Sequence, residues 1–298
     1  MKKFLLKIAQ YGFIALLLFN AIACCNLYFL RNSSFYKPQF LYHEVKETNF
    51  DYIVIGSSIG LTGLNTIQMD SLVGAKGINL CIDDTGISSN YLMLRHFYNQ
   101  KKQAKYCVLA MNHWDLATKK PELSTNDYRF LPFVNEDFVY DYYSNLESGY
   151  FKPLAFSKYL PMIGVAYYNS EIFYPSLVAK IKPNKRNRFD EKGNYSYPTN
   201  EVLKETPFKT ITLKWNNPYI DKIKELCDAN NTKLIIYQAP IYKTKVVNSN
   251  TAFTFVNHSD LLNDKNDFYN AIHVNKFGRK KVSAEFAVVL QNLLKTNP

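Results

Sequence analysis

Cysteine pairs at metal-binding spacing are missing from this chain, and so is any arrangement that would make a disulfide framework. Only five cysteines occur in 298 residues. Cys24 and Cys25 fall in an apolar N-terminal segment, while Cys81, Cys107 and Cys227 lie in apolar contexts where a thiol behaves as a small hydrophobe. Zinc modules and disulfide scaffolds are thereby excluded. Glycine is scarce at 11 residues, and there is no internal repeat or low-complexity tract. No recognition helix, zinc-finger spacing or RNA-binding aromatic motif accompanies the net charge of +11. The basic residues are dispersed, with the densest runs at 180–188 and 279–281. A nucleic-acid partner is therefore not expected; such a surface suits anionic lipid or polyanionic glycan better.

What the chain has in abundance is aromatic and apolar. Tyrosine (23) and phenylalanine (21) are frequent, and 47% hydrophobic with 20% charged residues is a globular composition. Lys2, Lys3 and Lys7 precede an uncharged stretch from Ile8 to Leu30, long enough to cross a bilayer, for which about 20 residues suffice. Positive charge ahead of the span keeps the N-terminus cytoplasmic and places everything after Arg31 outside. The expected location is the cell inner membrane, single-pass, with an extracytoplasmic C-terminal domain, periplasmic if the source is bacterial. A cleaved signal peptide is the rival, and Ala21-Ile22-Ala23-Cys24 resembles a lipoprotein cleavage site without the usual leucine. The expected division is an anchor over 1–34 and one domain over 35–298.

Asp51-Tyr52-Ile53-Val54-Ile55-Gly56-Ser57-Ser58 reads as a buried parallel strand closing in a tight turn. A short helix follows over 65–72, then a strand over 77–82 and the turn-like Asp83-Asp84-Thr85-Gly86. A helix capped by Ser88 or Ser89 and a third strand over 105–111 come next. The rhythm breaks over about 117–213, a tyrosine-rich stretch read as an insertion, with a hairpin turning at Lys192-Gly193. The insertion either walls a substrate groove or is a small packed subdomain; Trp114 and Trp215 flank it, as sugar-stacking faces or as buried rings. Asn217-Pro218 opens another helix, a fourth strand covers 233–240, and a helix over about 276–294 closes the chain. Strand and helix alternating in this way define an α/β fold, a flavodoxin-like three-layer sandwich on a parallel sheet. In such sheets ligands bind beyond the carboxyl ends of the strands, so Ser58, the 83–86 turn, Asn112 and the Asn270-Ala271-Ile272-His273 segment share one edge.

Acyl transfer by serine needs a hydroxyl, a histidine base and oxyanion donors, and those are the residue types gathered there. Four short blocks over 51–115 and 217–295 resemble those of SGNH (GDSL-like) hydrolases, in particular membrane-anchored relatives acting on cell-surface polymers. Gly56-Ser57-Ser58 is similar to the Gly-Asp-Ser block, with Ser57 in place of aspartate. Ala110-Met111-Asn112-His113 is similar to Gly-x-Asn-Asp, and Asn270-Ala271-Ile272-His273 to Asp-x-x-His. The resemblance implies Ser58 as nucleophile, His273 as base, Asn270 as the group orienting it and Asn112 as an oxyanion donor. Counting on from Asn79 puts the second block's oxyanion position at Asp84, with Gly86 two residues on as the other candidate. It also implies an esterase or O-acyltransferase acting on acyl, above all acetyl, esters of a cell-surface polysaccharide, with a membrane-bound acyl-transfer partner and with neither a metal nor an organic cofactor. The alternative is a catalytically impaired accessory or glycan-binding subunit, for which Asp84 and Asn270 are the motivating departures.

Overall fold

A computed structural model describes residues 1–199 and 203–296. Contacts divide the chain into two units, 1–45 with 127–187 and 46–126 with 188–298. The interruption expected over about 117–213 is thus shared out: its centre joins the N-terminal segment, and its flanks, 117–126 and 188–213, belong to the α/β unit. Residues 35–45, expected with the large domain, lie in the unit of the N-terminal helix.

In the α/β unit, strands β1 (Asn49–Gly56), β2 (Gly77–Asn79), β3 (Gln103–Ala110), β5 (Lys233–Gln238) and β7 (Thr254–Asn257) form one sheet in the order β2-β1-β3-β5-β7. All four pairings are parallel. Second, first, third, fourth, fifth is a doubly wound order whose switch point lies between β1 and β3. The side-chain period of two sorts the strands. Tyr52, Val54, Tyr106, Val108, Ala110, Ile235 and Tyr237 join one buried cluster with Ile59, Met69, Val282, Phe286 and Leu290. These last come from α3 (Ser58–Gly63), α4 (Thr66–Val73) and α12 (Lys276–Thr296), which cover that face. On the other face, α5 (Ile87–Asn99) lies against β1 and β3, and α11 (Tyr219–Ala229) against β5. The arrangement is compatible with a three-layer sandwich. β4 (Lys209–Thr212) pairs with β6 (Thr244–Val247), and β8 (Phe268–Asn270) with β9 (His273–Val274), as small separate ladders.

Two differences from the sequence reading have local causes. α5 begins at Ile87 with Gly86 as its N-cap, ahead of the expected Ser88 or Ser89. Gly86 is extended there and its N–H donates to Ser124 Oγ at 2.9 Å, so the helix starts before the serines, which are buried in its first turn. At 188–197 no strand ladder forms. Asp190 Oδ1 instead accepts the N–H groups of Lys192 and Asn194 at 2.9 and 2.8 Å, folding the segment as an Asx-type turn.

β1 ends at Gly56, whose φ of +154° disfavours a side chain, and a Cβ there would overlap the Ala110 carbonyl oxygen on β3. Gly56→Ala is therefore expected to destabilise this unit by about 3 kcal/mol. A lower urea midpoint at unchanged m-value measures it.

The other unit is helical: α1 (Lys2–Arg31), α2 (Lys37–His43), α7 (Asp137–Leu146), α8 (Pro153–Phe156), α9 (Pro161–Tyr167) and α10 (Asn169–Ile181). α1 is long and apolar enough to cross a membrane, with a mean hydropathy of 2.1; a signal sequence meets the same test. Its C-terminal part packs on α9 and α10, burying Ala23, Asn26, Leu27 and Leu30. Tyrosine serves packing here. Tyr143 is fully buried with its hydroxyl donating to the Asp127 carbonyl at 2.8 Å, and Tyr142 donates to the Asp127 carboxylate at 2.7 Å. Glu147 caps α8 by accepting from the N–H groups of Leu154 and Ala155 at 2.9 and 3.0 Å.

Candidate active site

The carboxyl edge of β1 and β3, flanking the switch point, gathers the residues expected to carry chemistry. Ser58 is the first residue of α3, directly after the Gly56-Ser57 turn. α3 lies close on the sheet because Gly60 has no side chain: a Cβ there would meet Cys81 Sγ at 2.6 Å and Ala110 Cβ at 2.7 Å. The buried Asn79 amide pins the helix further, donating to the carbonyls of Gly60 at 3.0 Å and Leu64 at 3.2 Å.

His273 arrives from a distant part of the chain, on the two-residue strand β9, three residues before α12. Its Nε2 lies 2.7 Å from Ser58 Oγ and its Nδ1 lies 3.0 Å from Asn270 Oδ1. The same Asn270 oxygen accepts the backbone N–H groups of Ile272 and His273, each at 3.0 Å. Backbone N–H groups only donate, so the amide atom facing them is the oxygen. It follows that Nδ1 carries the ring proton and that Nε2 is left to accept from the Ser58 hydroxyl. Burial holds His273 below its ordinary 6.5, at about 4. The ring is thus neutral, and able to take a proton, throughout the neutral range.

Asn112, the residue after Met111 at the end of β3, caps α6 (His113–Ala117) and is 4% exposed. Asp84 takes a φ of +51°, in the left-handed region that asparagine and aspartate enter more readily than most residues. Its side chain is exposed, and its backbone N–H forms no hydrogen bond among the described residues. Gly86, the other oxyanion candidate, has its N–H engaged by Ser124.

Ser58, Asp84, Gly86, Asn112 and His273 line one cleft of about 500 Å³, together with Trp114, Asp115, Ile272 and residues 121–125. Trp114 stands 43% exposed on its rim, so of the two expected placements it takes the accessible one. Trp215 lies elsewhere, half-buried and stacked on Phe253 at 5.2 Å. Asp267, three residues before Asn270, is not part of the site: its carboxylate pairs with Lys281 at 2.7 Å.

Sequence reasoning passed over three groups at this edge. Tyr197 presents its ring edge-on to His273 at 5.2 Å and stacks on Tyr269 at 4.2 Å. It is brought there because the 188–197 turn docks on the α/β unit, through Asn194 Oδ1 accepting from Thr66 N–H at 2.9 Å and Lys192 O from Asn79 N–H at 2.9 Å. The Asn79 pin and the 121–125 wall are the others. Tyr269, next to Asn270, was the one available signal for the ring stack.

Asp115 accepts the Asn112 N–H at 3.3 Å, and burial pushes its carboxyl up to about 6 from 3.8. A value raised in the folded state means that the folded protein holds the proton more tightly, so stability falls as pH rises from about 4 through 6. Asp115→Asn, which keeps an acceptor for Asn112, is expected to raise Tm at pH 7 by about 2–4 °C, roughly 1 kcal/mol. The gain should vanish below pH 4; thermal melts at the two pH values measure both.

No protein-family model matches the chain, and no curated protein matches it.

Proposed function

We propose that this protein is a membrane-anchored serine esterase or O-acyltransferase of the SGNH (GDSL-like) type. It acts outside the cytoplasm on acyl esters, in the first instance acetyl esters, of a cell-surface glycan. The observation that carries the reading is the hydrogen-bonded series Ser58 Oγ–His273 Nε2 and His273 Nδ1–Asn270 Oδ1, at 2.7 and 3.0 Å, in a cleft at the sheet's switch point. The four-block resemblance supplies the class, and the apolar α1 the anchor. Lys2, Lys3 and Lys7 before the span favour a cytoplasmic N-terminus. The exposed Trp114 on the cleft rim suits a sugar face.

In this reading Ser58 Oγ attacks the ester carbonyl while its proton passes to His273 Nε2. The carbonyl oxygen becomes an oxyanion held by the Asn112 amide and the N–H groups of Ser58 and Asp84. The new bond is Ser58 Oγ–acyl carbon; as the ester C–O bond breaks, imidazolium returns the proton to the departing alcohol. Water, or a sugar hydroxyl in the transferase case, then gives its proton to His273 and takes the acyl group, restoring Ser58. A membrane-bound acyl-transfer partner would supply the acyl group in the transferase case.

A second reading has its own observation. Asn270 stands where a carboxylate would offset the imidazolium, and Asp84 puts a negative side chain beside the oxyanion position. A catalytically impaired accessory subunit that binds glycan fits those two residues. Fluorophosphonate labelling of the detergent-solubilised protein decides between them. Stoichiometric modification of Ser58 is expected for the enzyme. A protein that stays unlabelled and hydrolyses no activated acetyl ester is the accessory subunit.

A further inference from the structure

The helical unit carries an arrangement that a simple tether does not need. Asn20 sits within the uncharged stretch of α1, and its Oδ1 accepts the Met162 N–H in the first turn of α9 at 3.2 Å. A polar side chain inside a membrane span requires a partner, and here the partner is the start of another helix of the same unit. The position of that contact along α1 is informative. Residues 8–30 extend about 34 Å at 1.5 Å per residue, enough for a hydrocarbon core of about 30 Å. Residues 8–19 alone extend about 18 Å, which falls short by about 12 Å. With α1 read as spanning the bilayer, the first turn of α9 therefore meets it below the outer membrane surface, level with the acyl chains, and the turn joining α8 to α9 directly precedes that contact.

The exposed surface around that turn matches such a depth. Phe151, Phe156, Tyr159, Leu160 and Tyr167 are all exposed, Tyr159 to 68% and Tyr167 to 61%. Phe151 contacts both Phe156 and Tyr167, each with ring centroids 6.2 Å apart, so these three form one patch, while Tyr159 lies 6.2 Å from Tyr140 beside the Lys158–Asp137 ion pair. Higher up, the Ser34 N–H donates to the Pro183 carbonyl at 2.7 Å, which sets the exposed Lys182 and Lys185 level with the end of α1. Aromatic and aliphatic side chains at acyl depth, with lysines at headgroup height, describe a surface built for lipid.

We propose that the α8–α9 turn and its aromatic neighbours are inserted in the outer leaflet beside α1, a monotopic wedge joined to a single span, with lipid acyl chains as its ligand. This rests on the reading of α1 as a membrane anchor. The wedge would fix the tilt and rotation of the whole helical unit on the membrane, which one span cannot do alone.

The test uses the full chain in vesicles of phosphatidylethanolamine and phosphatidylglycerol, with Cys24 and Cys25 replaced by serine. Single substitutions Ile14→Cys, Tyr159→Cys and Lys182→Cys, all at exposed side chains, each carry an environment-sensitive fluorophore. Acyl-chain nitroxides are expected to quench the label at position 159 at least twofold, aqueous iodide should leave it unaffected, and the label at 182 should show the reverse. If position 159 is quenched by iodide and not by lipid nitroxides while position 14 remains lipid-quenched, the anchor stands and the wedge is wrong. If position 14 is also open to iodide, the anchor reading has failed and the wedge with it. Shielding of position 159 from both quenchers, with crosslinking between copies, would replace lipid by a second copy of the chain and overturn the proposal.

Discussion

Ser58→Ala is expected to lower hydrolysis of an activated acetyl ester by at least about 10⁴-fold in kcat and to abolish fluorophosphonate labelling. Among the described residues the Ser58 hydroxyl is the group that donates to His273 Nε2, at 2.7 Å. Its removal deletes the proposed nucleophile while leaving α3 intact, because Ser58 contributes its backbone, not its side chain, to the start of that helix. Far-ultraviolet circular dichroism and the urea midpoint should stay at wild-type values. His273→Ala should cost nearly as much, since the two groups act as a unit and their losses do not add. Asn112→Ala belongs to a smaller class, about 10²- to 10³-fold, the effect of losing one oxyanion donor. If Ser58→Ala retained more than a tenth of the wild-type rate, the residual activity would have to come from another nucleophile, and the esterase reading of this cleft would fall.

The parts of this site legible in the chain were those governed by sheet topology. Four strand-like runs with helices between them place the loops after β1 and β3 at one edge, and that rule alone brings Ser58 and Asn112 together. His273 lies 215 residues beyond Ser58; topology puts the loop before the last helix at the same edge, and the similarity of its block to a hydrolase motif singles out the histidine. What was not legible depends on groups that act through three-dimensional contact. Nothing in Asp190-Glu191-Lys192-Gly193-Asn194 announces that it will dock on Asn79 and Thr66 and carry Tyr197 to the histidine. Likewise, Gly86 looks like an oxyanion donor until Ser124, 38 residues away, is found holding its N–H. β7 is four residues, Thr254–Asn257, with none of the apolar continuity of its neighbours, because it sits at the sheet edge and is only half covered. In sequence the stretch over about 117–213 looks like a free-standing insertion, yet its centre, 127–187, forms one unit with the N-terminal helix. A contact such as Asn20 to Met162 spans 142 positions and leaves no periodic trace.

Asn270→Asp is expected to raise kcat by about 10- to 100-fold and to move the acidic limb of the pH–rate profile upward. The usual effect of an amide at this position is severe, about 10⁴-fold, chiefly because the histidine is held in the wrong tautomer. That part of the loss does not apply here. Two backbone N–H groups, from Ile272 and His273, turn the amide oxygen toward Nδ1 and so select the productive tautomer without a carboxylate. What the amide leaves uncorrected is charge. His273 is buried and holds its proton weakly, and a fall from 6.5 to about 4 corresponds to about 3 kcal/mol less favourable protonation. A carboxylate 3.0 Å from Nδ1 would recover part of that by stabilising the imidazolium formed as Ser58 attacks. The sign follows directly. The base works when neutral, so wild-type activity should rise with pH through about 4 and be level by pH 6, whereas the aspartate variant should reach its plateau at higher pH with a larger maximum. Steady-state rates from about pH 3 to 8 measure both shifts. A profile that keeps its acidic limb near pH 4 after the substitution would show that His273 is not the titrating base.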